Sequence, residues 1–271
     1  VTPTLVGCIG NTETFTITVN PLPIVNAGSD QIVCETTPVT LSGFGAISYT
    51  WDNGVSNGIS FVQAVGTITY TVTGTDANNC INTDQVSITV KPLPVFTVSS
   101  TSPTTCGGTQ GSITLSGLTP ATTYNVTYDD DGITMGAIRM TADINGNIVI
   151  TGLDEGTYNN FIVELNGCST SIATPEQLVD PTPPVVDAVA NQIVCHNDFV
   201  NLVQFTGTPG ATFNWTNTIT SIGLAANGTG DIAAFSGINN GSSPVIATVT
   251  VTPTLANCYG TPVTFTITVN P

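Results

Sequence analysis

Residues 67–90 read TITYTVTGTDANNCINTDQVSITV, and they contain two runs in which a polar residue, mostly threonine, alternates with a large apolar residue. The apolar positions of the two runs are Ile68, Tyr70, Val72, Val86, Ile88 and Val90. Such period-two alternation is typical of strands in an antiparallel sheet that buries one face and exposes the other. The sequence therefore predicts two strands within this stretch.

The same alternation returns near both ends of the chain. Its apolar positions there are Phe15, Ile17, Val19, Phe265, Ile267 and Val269. Turn signals such as Asn53-Gly54 and Asn145-Gly146 separate the runs, and no segment has an apolar stripe of helical period. These patterns predict an all-β chain of antiparallel β-sandwiches, with about seven short strands in each.

The charge of the chain excludes several classes of function. Its 271 residues carry a formal net charge of −16, with 18 acidic residues and only two cations, Lys91 and Arg139. Two cations cannot form the basic patch that binding to nucleic acid or to anionic lipid requires. Few general bases or oxyanion-binding groups remain, so we expect no enzyme activity. No apolar run approaches the ~18 residues of a membrane-spanning helix, so no membrane insertion is expected.

Internal repeats divide the chain. Residues 1–21 nearly match residues 251–271, which indicates a repeated array. Recurring cysteines and proline-bearing linkers mark shorter repeats, and they predict domains at 22–92, 93–183 and 184–271. Residues 1–21 are then the C-terminal strands of a truncated domain. Because proline fixes φ and removes a backbone donor, the linkers should be extended and semi-rigid, so we expect an extended rod of tandem sandwiches.

The seven cysteines follow the repeats. Paired by their register within each domain, one disulfide per domain, the expected bonds are Cys34–Cys80, Cys106–Cys168 and Cys195–Cys258. Cys8 belongs to the truncated domain, and we expect it to be unpaired by that truncation. Each bond should stabilise its small domain by roughly 3–4 kcal/mol in the chain-entropy model, and such bonds persist outside the cytosol. The alternative is a metal thiolate site, although the chain has no CxxC pair or Cys/His cluster.

Two tryptophans occupy similar places in two domains. Trp51 follows Cys34, and Trp215 follows Cys195, at comparable spacings. A tryptophan on the third strand that packs near the disulfide is typical of the core of an immunoglobulin-like (Ig-like) sandwich. We therefore expect both to be core aromatics, and the alternative is an exposed aromatic for sugar stacking.

Two acidic stretches offer oxygen ligands of the kind that calcium binds. Asp129, Asp130 and Asp131 are consecutive, but neighbouring strand residues point to opposite faces, so a solvated hairpin tip is the alternative interpretation. Asp143 and Asn145 imitate part of an EF-hand loop, although an isoleucine occupies the place of that loop's glycine. These two stretches are therefore candidate calcium sites, and no other cofactor is expected.

Several stretches resemble known repeats. Residues 22–92, with DQIVC at 30–34 and YTWDNG at 49–54, resemble the PKD-like and Ig-like repeats of Bacteroidota surface proteins. Residues 184–271 resemble a longer PKD-like variant. Residues 106–118, CGGTQGSITLSGL, resemble the repeat named after the flavobacterial gliding adhesin SprB. This mixture is typical of giant adhesins built from repeats.

The resemblance implies a structural and adhesive segment of a very large bacterial cell-surface filament that serves attachment and gliding motility. It also implies type IX secretion and attachment to the outer membrane. The implied partners are neighbouring repeats of the same chain, a polysaccharide or abiotic surface, and the secretion and gliding machinery. One alternative is an array of carbohydrate-binding modules, with Tyr124, Tyr128 and Tyr158 in 93–183 as the aromatic candidates. Another is a set of spacer domains of a secreted enzyme.

Overall fold

Strands account for the regular structure of the chain, apart from one 3-10 turn at Thr220–Ile222. The computed structural model describes residues 1–271, and it confirms an all-β chain of Ig-like sandwiches. Each hydrogen-bonded sheet lies within one of the segments that the repeats define. Packing divides the chain differently, into two compact units that consist of Val1–Pro94 with Glu164–Thr170, and of Val95–Val163 with Ser171–Pro271.

Residues 1–21 form a short hairpin of β1 (Thr4–Leu5) and β2 (Cys8–Ile9). The strand expected around Phe15, Ile17 and Val19 is absent, and these three side chains are 70–89% exposed. A strand is stable only when a neighbouring backbone takes its hydrogen bonds, and no strand of the structure lies beside this stretch. The alternating pattern alone is therefore not sufficient to form a strand here.

Residues 22–92 form two facing sheets. Their strands are β3 (Gln31–Cys34), β4 (Val39–Thr40), β5 (Ser48–Trp51), β6 (Ser60–Phe61), β7 (Gly66–Thr75) and β8 (Ile81–Lys91). One sheet has the order β3-β8-β7-β5, and the other pairs β4 with β6. The strands predicted within residues 67–90 are β7 and β8, which pair antiparallel. Between the sheets lies an apolar core that includes Leu41, Val72 and Ile88.

Residues 93–183 contain eight strands in two sheets. They are β9 (Thr97–Thr101), β10 (Gly111–Ser116), β11 (Thr123–Asp130), β12 (Ile133–Thr141), β13 (Ile148–Leu153), β14 (Gly156–Leu165), β15 (Cys168–Ile172) and β16 (Glu176–Leu178). One sheet has the order β13-β10-β9, and the other has the order β12-β11-β14-β15 with β16 also on β14. Alternating side chains from both sheets, such as Ile113, Leu115, Phe161 and Val163, are fully buried.

Residues 184–271 repeat the plan of the first sandwich with longer loops. Their strands are β17 (Gln192–Cys195), β18 (Phe199–Val200), β19 (Thr212–Asn217), β20 (Asn227–Thr229), β21 (Phe235–Ser236), β22 (Val245–Leu255), β23 (Cys258–Tyr259) and β24 (Val263–Asn270). The main sheet has the order β17-β24-β22-β19-β20, with β23 also on β22, and the second sheet pairs β18 with β21. Phe265, Ile267 and Val269 of β24 lie in the core, as their alternation predicts.

The opening strands of two sandwiches differ from the purely antiparallel arrangement that the sequence predicts. β3 runs parallel to β8, with Cys34 opposite Lys91. β17 runs parallel to β24 in the same way, with Cys195 opposite Asn270. In both sandwiches the first cysteine therefore lies beside the last residues of the final strand. This is the end of the sandwich at which its C-terminus lies.

Candidate functional sites: two disulfide joints and an acidic cluster

Two disulfide bonds are present, and neither is a pair expected from the sequence. Cys34 bonds to Cys168 and Cys106 bonds to Cys258, with Cα–Cα distances of 5.6 and 4.9 Å. The free cysteines are Cys8, Cys80 and Cys195. The expected pairs that the structure contradicts are Cys34–Cys80, Cys106–Cys168 and Cys195–Cys258. Each observed bond joins a cysteine of one predicted segment to a cysteine of the next, so the prediction of one disulfide inside each domain is wrong.

Strand geometry explains why two of the three expected pairs, Cys34–Cys80 and Cys195–Cys258, fail. Cys34 lies opposite Lys91, whereas Cys80 immediately precedes Ile81 at the other end of the same strand, β8. At ~3.3 Å per residue, that strand separates the two cysteines by roughly 35 Å. A disulfide requires Cα atoms within about 7 Å. Cys195 and Cys258 are separated in the same way, because they lie near opposite ends of β22 and β24.

The cysteines fall into two structural classes. Leading cysteines are the first in their segments and lie at or after the end of the opening strand, and they are Cys34, Cys106 and Cys195. Hairpin cysteines directly follow a turn between two antiparallel strands, and they are Cys8, Cys80, Cys168 and Cys258. Both disulfides join a leading cysteine to the hairpin cysteine of the next segment along the sequence.

The first joint is the Cys34–Cys168 bond with the residues around it, all within the first compact unit. Cys168 follows the turn Asn166-Gly167, whose φ angles of 54° and 86° are both positive, as the two-residue hairpin turn that matches strand twist requires. The Lys91 ammonium donates to the Asn166 carbonyl at 3.0 Å. The tip of this hairpin is thus held by one covalent bond and one charge-assisted hydrogen bond.

The second joint is the Cys106–Cys258 bond with its surroundings, within the second compact unit. Cys258 follows the turn Ala256-Asn257, whose φ angles are 49° and 63°. The Cys106 amide donates to the Ala256 carbonyl at 3.1 Å, and the Gly107 amide donates to the Asp180 carboxylate at 2.7 Å. Backbone groups of the loop that carries Cys106 therefore hold both the hairpin turn and the linker residue Asp180.

Both tryptophans occupy cores. Trp51 is 9% exposed and its indole N–H donates to the Asn57 side-chain oxygen at 3.0 Å. Trp215 is 7% exposed and its indole N–H donates to the Gly230 carbonyl at 3.1 Å. A buried tryptophan needs such a partner for its single donor. With ring and N–H both engaged inside the fold, neither side chain is a platform for sugar stacking.

The three consecutive aspartates at the end of β11 make different contacts. Asp129 accepts from Asn160 at 2.6 Å and from Thr134 at 2.7 Å, and these hydrogen bonds lower the pKa of its carboxyl group. Asp131 accepts from the Thr157 amide at 2.8 Å. Burial, and then the neighbouring charges of Asp131 and Asp154, raise the pKa of Asp130. Asp129 and Asp131 are thus each hydrogen-bonded to neighbouring strands of the sandwich.

The EF-hand-like stretch is a closed turn. Both Asn145 and Asn147 donate their backbone N–H groups to the same Asp143 oxygen at 2.8 Å, and these bonds contribute to lowering the pKa of Asp143. No group of three or more histidine, cysteine, aspartate or glutamate side chains is arranged to hold a metal ion. The Asp143 carboxylate thus closes its own turn.

The three tyrosines named as sugar-binding candidates are buried. Tyr124, Tyr128 and Tyr158 are 3%, 4% and 0% exposed. Tyr128 stacks on Phe161 with ring centroids 6.3 Å apart, and the Tyr158 hydroxyl donates to an Asp154 carboxylate oxygen at 3.2 Å. Burial, followed by the nearby carboxylates, raises the pKa of Tyr158. These side chains form the core and leave no aromatic platform at these positions.

Comparisons with known proteins find distant structural neighbours. No family model and no curated protein matches the chain. A bacterial structure described as a Ca2+-stabilized adhesin that helps an Antarctic bacterium bind ice is 16% identical, covers 97% of this chain and 78% of its own, and has a TM-score of 0.42. A structure from a 1.5-MDa bacterial ice-binding adhesin is 16% identical over 93% of this chain and 99% of its own, with a TM-score of 0.38.

A third neighbour is the crystal structure of the eight N-terminal Ig domains of Down Syndrome Cell Adhesion Molecule. It is 12% identical, with a TM-score of 0.42, and the match covers 92% of this chain and 36% of that one. The solved neighbours are thus arrays of Ig-like domains, bacterial adhesins among them. At this identity no ligand, partner or activity is transferred from them. The structure contains no helix with the length and hydrophobicity of a membrane-spanning segment.

Proposed function

We propose that this chain is a structural and adhesive segment of a large secreted cell-surface adhesin, in which Ig-like repeats are tied covalently to their sequence neighbours. The observation that carries this proposal is the pattern of the two disulfides, each of which joins consecutive segments. A bond inside a domain would stabilise that domain alone. A bond across a segment boundary also spans the linker, so it resists separation of one repeat from the next.

The bonds also change how the chain carries tension. With both bonds closed, the shortest covalent path from Val1 to Pro271 follows the backbone to Cys34 and crosses to Cys168. It then runs back along the backbone to Cys106, crosses to Cys258 and continues to Pro271. That path contains roughly 110 residues, and at ~3.5 Å per residue it can extend to about 390 Å. The fully reduced chain of 271 residues can extend to about 950 Å. A segment that bears load between a cell and a surface benefits from this limit on extension.

The disulfide bonds and the net charge of the chain support a structural role outside the cell. Disulfides of this kind persist outside the cytosol, which supports an extracellular location. The net charge of −16 keeps neighbouring copies soluble and apart. Weak contacts repeated along many such segments can hold a surface by avidity, without one dedicated binding site. The proposal assigns no reaction to the chain.

The resemblance to SprB-type and PKD-like repeats extends the proposal to a specific setting. In that setting the protein leaves the cell by type IX secretion, is attached to the outer membrane, and serves gliding motility on a polysaccharide or abiotic surface. Spacer domains of a secreted enzyme would need similar mechanical properties. A catalytic domain elsewhere in the same protein would favour that alternative, and further adhesin-type repeats would favour ours.

The test is a single-molecule force-extension measurement on the chain held at its two ends. We expect a fully stretched length of about 390 Å in the oxidised protein and about 950 Å after reduction. A variant in which all four bonded cysteines are serine should reach the longer value without reductant. Because full extension does not depend on the folded state, a poorly folded variant remains informative. An oxidised chain that stretches to the reduced length would contradict the proposal.

A further inference from the structure

The three free cysteines occupy positions that are bonded elsewhere in the chain. Cys8 and Cys195 are exposed and Cys80 is half-buried, so all three thiols can be reached. Cys195 is a leading cysteine, as is the bonded Cys34, while Cys8 and Cys80 are hairpin cysteines, as is the bonded Cys258. Each free thiol therefore has an internal equivalent whose partner the structure shows.

Cys195 is presented in the same way as Cys34. Residues 31–34 and 192–195 have the same sequence, QIVC, and both run parallel to the final strand of their sandwich. In each case the amide after the cysteine donates to the carbonyl of the residue opposite it, at 2.8 and 2.9 Å. Thr36 and Asn197, two positions after the cysteines, both have a φ of 68°. The backbone thus aims both sulfurs from the same turn.

Cys8 is presented in the same way as Cys258. Leu5 lies opposite Cys8, and Leu255 lies opposite Cys258, in hairpins of the same register. Both hairpins have two central residues with positive φ, 45° and 82° in the first and 49° and 63° in the second. Cys80 ends a longer turn, which the Asp76 carboxylate closes by accepting the Cys80 amide at 2.8 Å.

The order of the bonded pairs along the sequence indicates which kind of partner is missing for each free cysteine. In both observed bonds, a leading cysteine reaches the hairpin cysteine of the segment that follows. We infer that Cys195 bonds to the hairpin cysteine of a further Ig-like module, and that Cys80 and Cys8 bond to leading cysteines of further modules. The partner is thus another sandwich of this kind with an accessible cysteine at the complementary position, carried by the same polypeptide or by a second copy.

Bond formation needs a disulfide oxidant, for example oxidised glutathione. The Cys195 thiolate attacks the glutathione disulfide and releases one glutathione thiolate, which leaves a mixed disulfide on Cys195. The partner's hairpin thiolate then attacks the Cys195 sulfur and displaces the second glutathione. Two cysteine thiols lose two electrons and two protons, and one glutathione disulfide becomes two glutathione thiols.

The first arm of the test mixes two forms of the full chain in a glutathione redox buffer. One carries C8S and C80S, so that only Cys195 is free, and the other carries C195S. We expect covalent dimers in which Cys195 is bonded to Cys8 or Cys80, in excess over dimers bonded through two Cys195 residues. The matched control, C8S/C80S/C195S/S242C, moves the free thiol to another exposed position and should give no such excess.

The second arm is a tandem chain in which residues 22–271 follow directly after Pro271, which takes the place of Pro21. We expect a bond between Cys195 of the first copy and Cys80 of the second. The tandem chain should then have three free thiols, as the single chain has, rather than five. Thiol alkylation followed by peptide mass spectrometry measures the number of free thiols and identifies the cysteine to which Cys195 is bonded.

The two arms separate the sources of the partner. Bonding in the tandem chain alone indicates a module of the same polypeptide, bonding in the mixture alone indicates a second copy, and either supports the inference. Five free thiols in the tandem chain, together with mixed dimers no more abundant than in the S242C control, would overturn it. The inference rests on the proposed structural function, but it fails separately, because the bonds that the force measurement reads are intact in every one of these variants.

Discussion

Both joints bond a leading cysteine to the hairpin cysteine of the next segment, but the residues that surround the two bonds differ. In the first joint the leading cysteine, Cys34, is the last residue of a strand, and the Lys91 ammonium holds the hairpin turn. In the second joint the leading cysteine, Cys106, lies in a loop, and its own amide holds the turn. The local scaffold thus differs while the partner rule is the same. What is repeated is the order of bonding along the chain, from a leading cysteine to the next hairpin cysteine.

The joints are also topologically linked. The first bond closes a loop across a sequence separation of 134 residues and the second across 152 residues. Each loop contains one cysteine of the other, because Cys106 precedes Cys168 in the sequence. Either bond alone therefore bypasses a large part of the chain. The two joints should be partly redundant under tension, and this redundancy can be measured.

The largest expected effect is on the fully stretched length when the joints are removed one at a time. C34S/C168S leaves a covalent path of roughly 120 residues, or about 420 Å, and C106S/C258S leaves roughly 140 residues, or about 480 Å. The unaltered oxidised chain should reach about 390 Å and the chain without both bonds about 950 Å. Force-extension curves distinguish these values. Loss of one pair that lengthens the chain to 950 Å would show that the other bond is absent.

The next effect is on stability against unfolding. In the chain-entropy model, a disulfide that closes a loop of more than about 100 residues stabilises the folded state by close to about 4.7 kcal/mol. This stabilisation grows only with the logarithm of loop length. Removal of either pair should therefore lower stability by about 4–5 kcal/mol, nearly equally for the two joints. Guanidinium denaturation measures this. The control C8S/C80S/C195S should leave the unfolding midpoint unchanged, and a loss as large as that of a joint variant would contradict our assignment of bonded and free cysteines.

The smallest expected effect separates the joints by their non-covalent contacts. K91M removes the ammonium from the Asn166 carbonyl in the first joint, and D180A removes the carboxylate from the Gly107 amide in the second. Each loss should weaken its own joint by about 0.5–1 kcal/mol, because both contacts are exposed. We expect each bond to be reduced by dithiothreitol about two- to fivefold faster in its own variant, with the other bond unaffected. Equal acceleration of both bonds by either variant would show that the contacts do not act locally.

Sequence patterns predict the fold well and the connections poorly. Alternation correctly places β7, β8 and β24, and the all-β class follows from it. The cysteine pairing depends on which strands lie side by side, and the parallel pairing of β3 with β8 has no signal in the alternation. With that pairing known, Cys34 and Cys80 fall at opposite ends of one strand, and the bond between them would not have been expected.

One repeated heptapeptide shows most clearly that local sequence alone does not determine whether a strand forms. TFTITVN occurs at residues 14–20 and again at residues 264–270. The second copy lies within β24 between β17 and β22 and buries Phe265, whereas the first copy forms no strand and exposes Phe15. The intrinsic preference is identical in the two places, so neighbouring strands decide the outcome. Asp143, a candidate calcium ligand, accepts its hydrogen bonds from backbone groups of its own turn.

The most direct test of the account is disulfide mapping of the unreduced protein by peptide mass spectrometry after blocking of free thiols. We predict two crosslinked species, one that joins the Cys34 and Cys168 peptides and one that joins the Cys106 and Cys258 peptides. Blocked thiols should be found on the remaining three cysteines. A crosslink between Cys34 and Cys80, or between Cys195 and Cys258, would show that the bonds lie inside the repeats and would contradict the central claim.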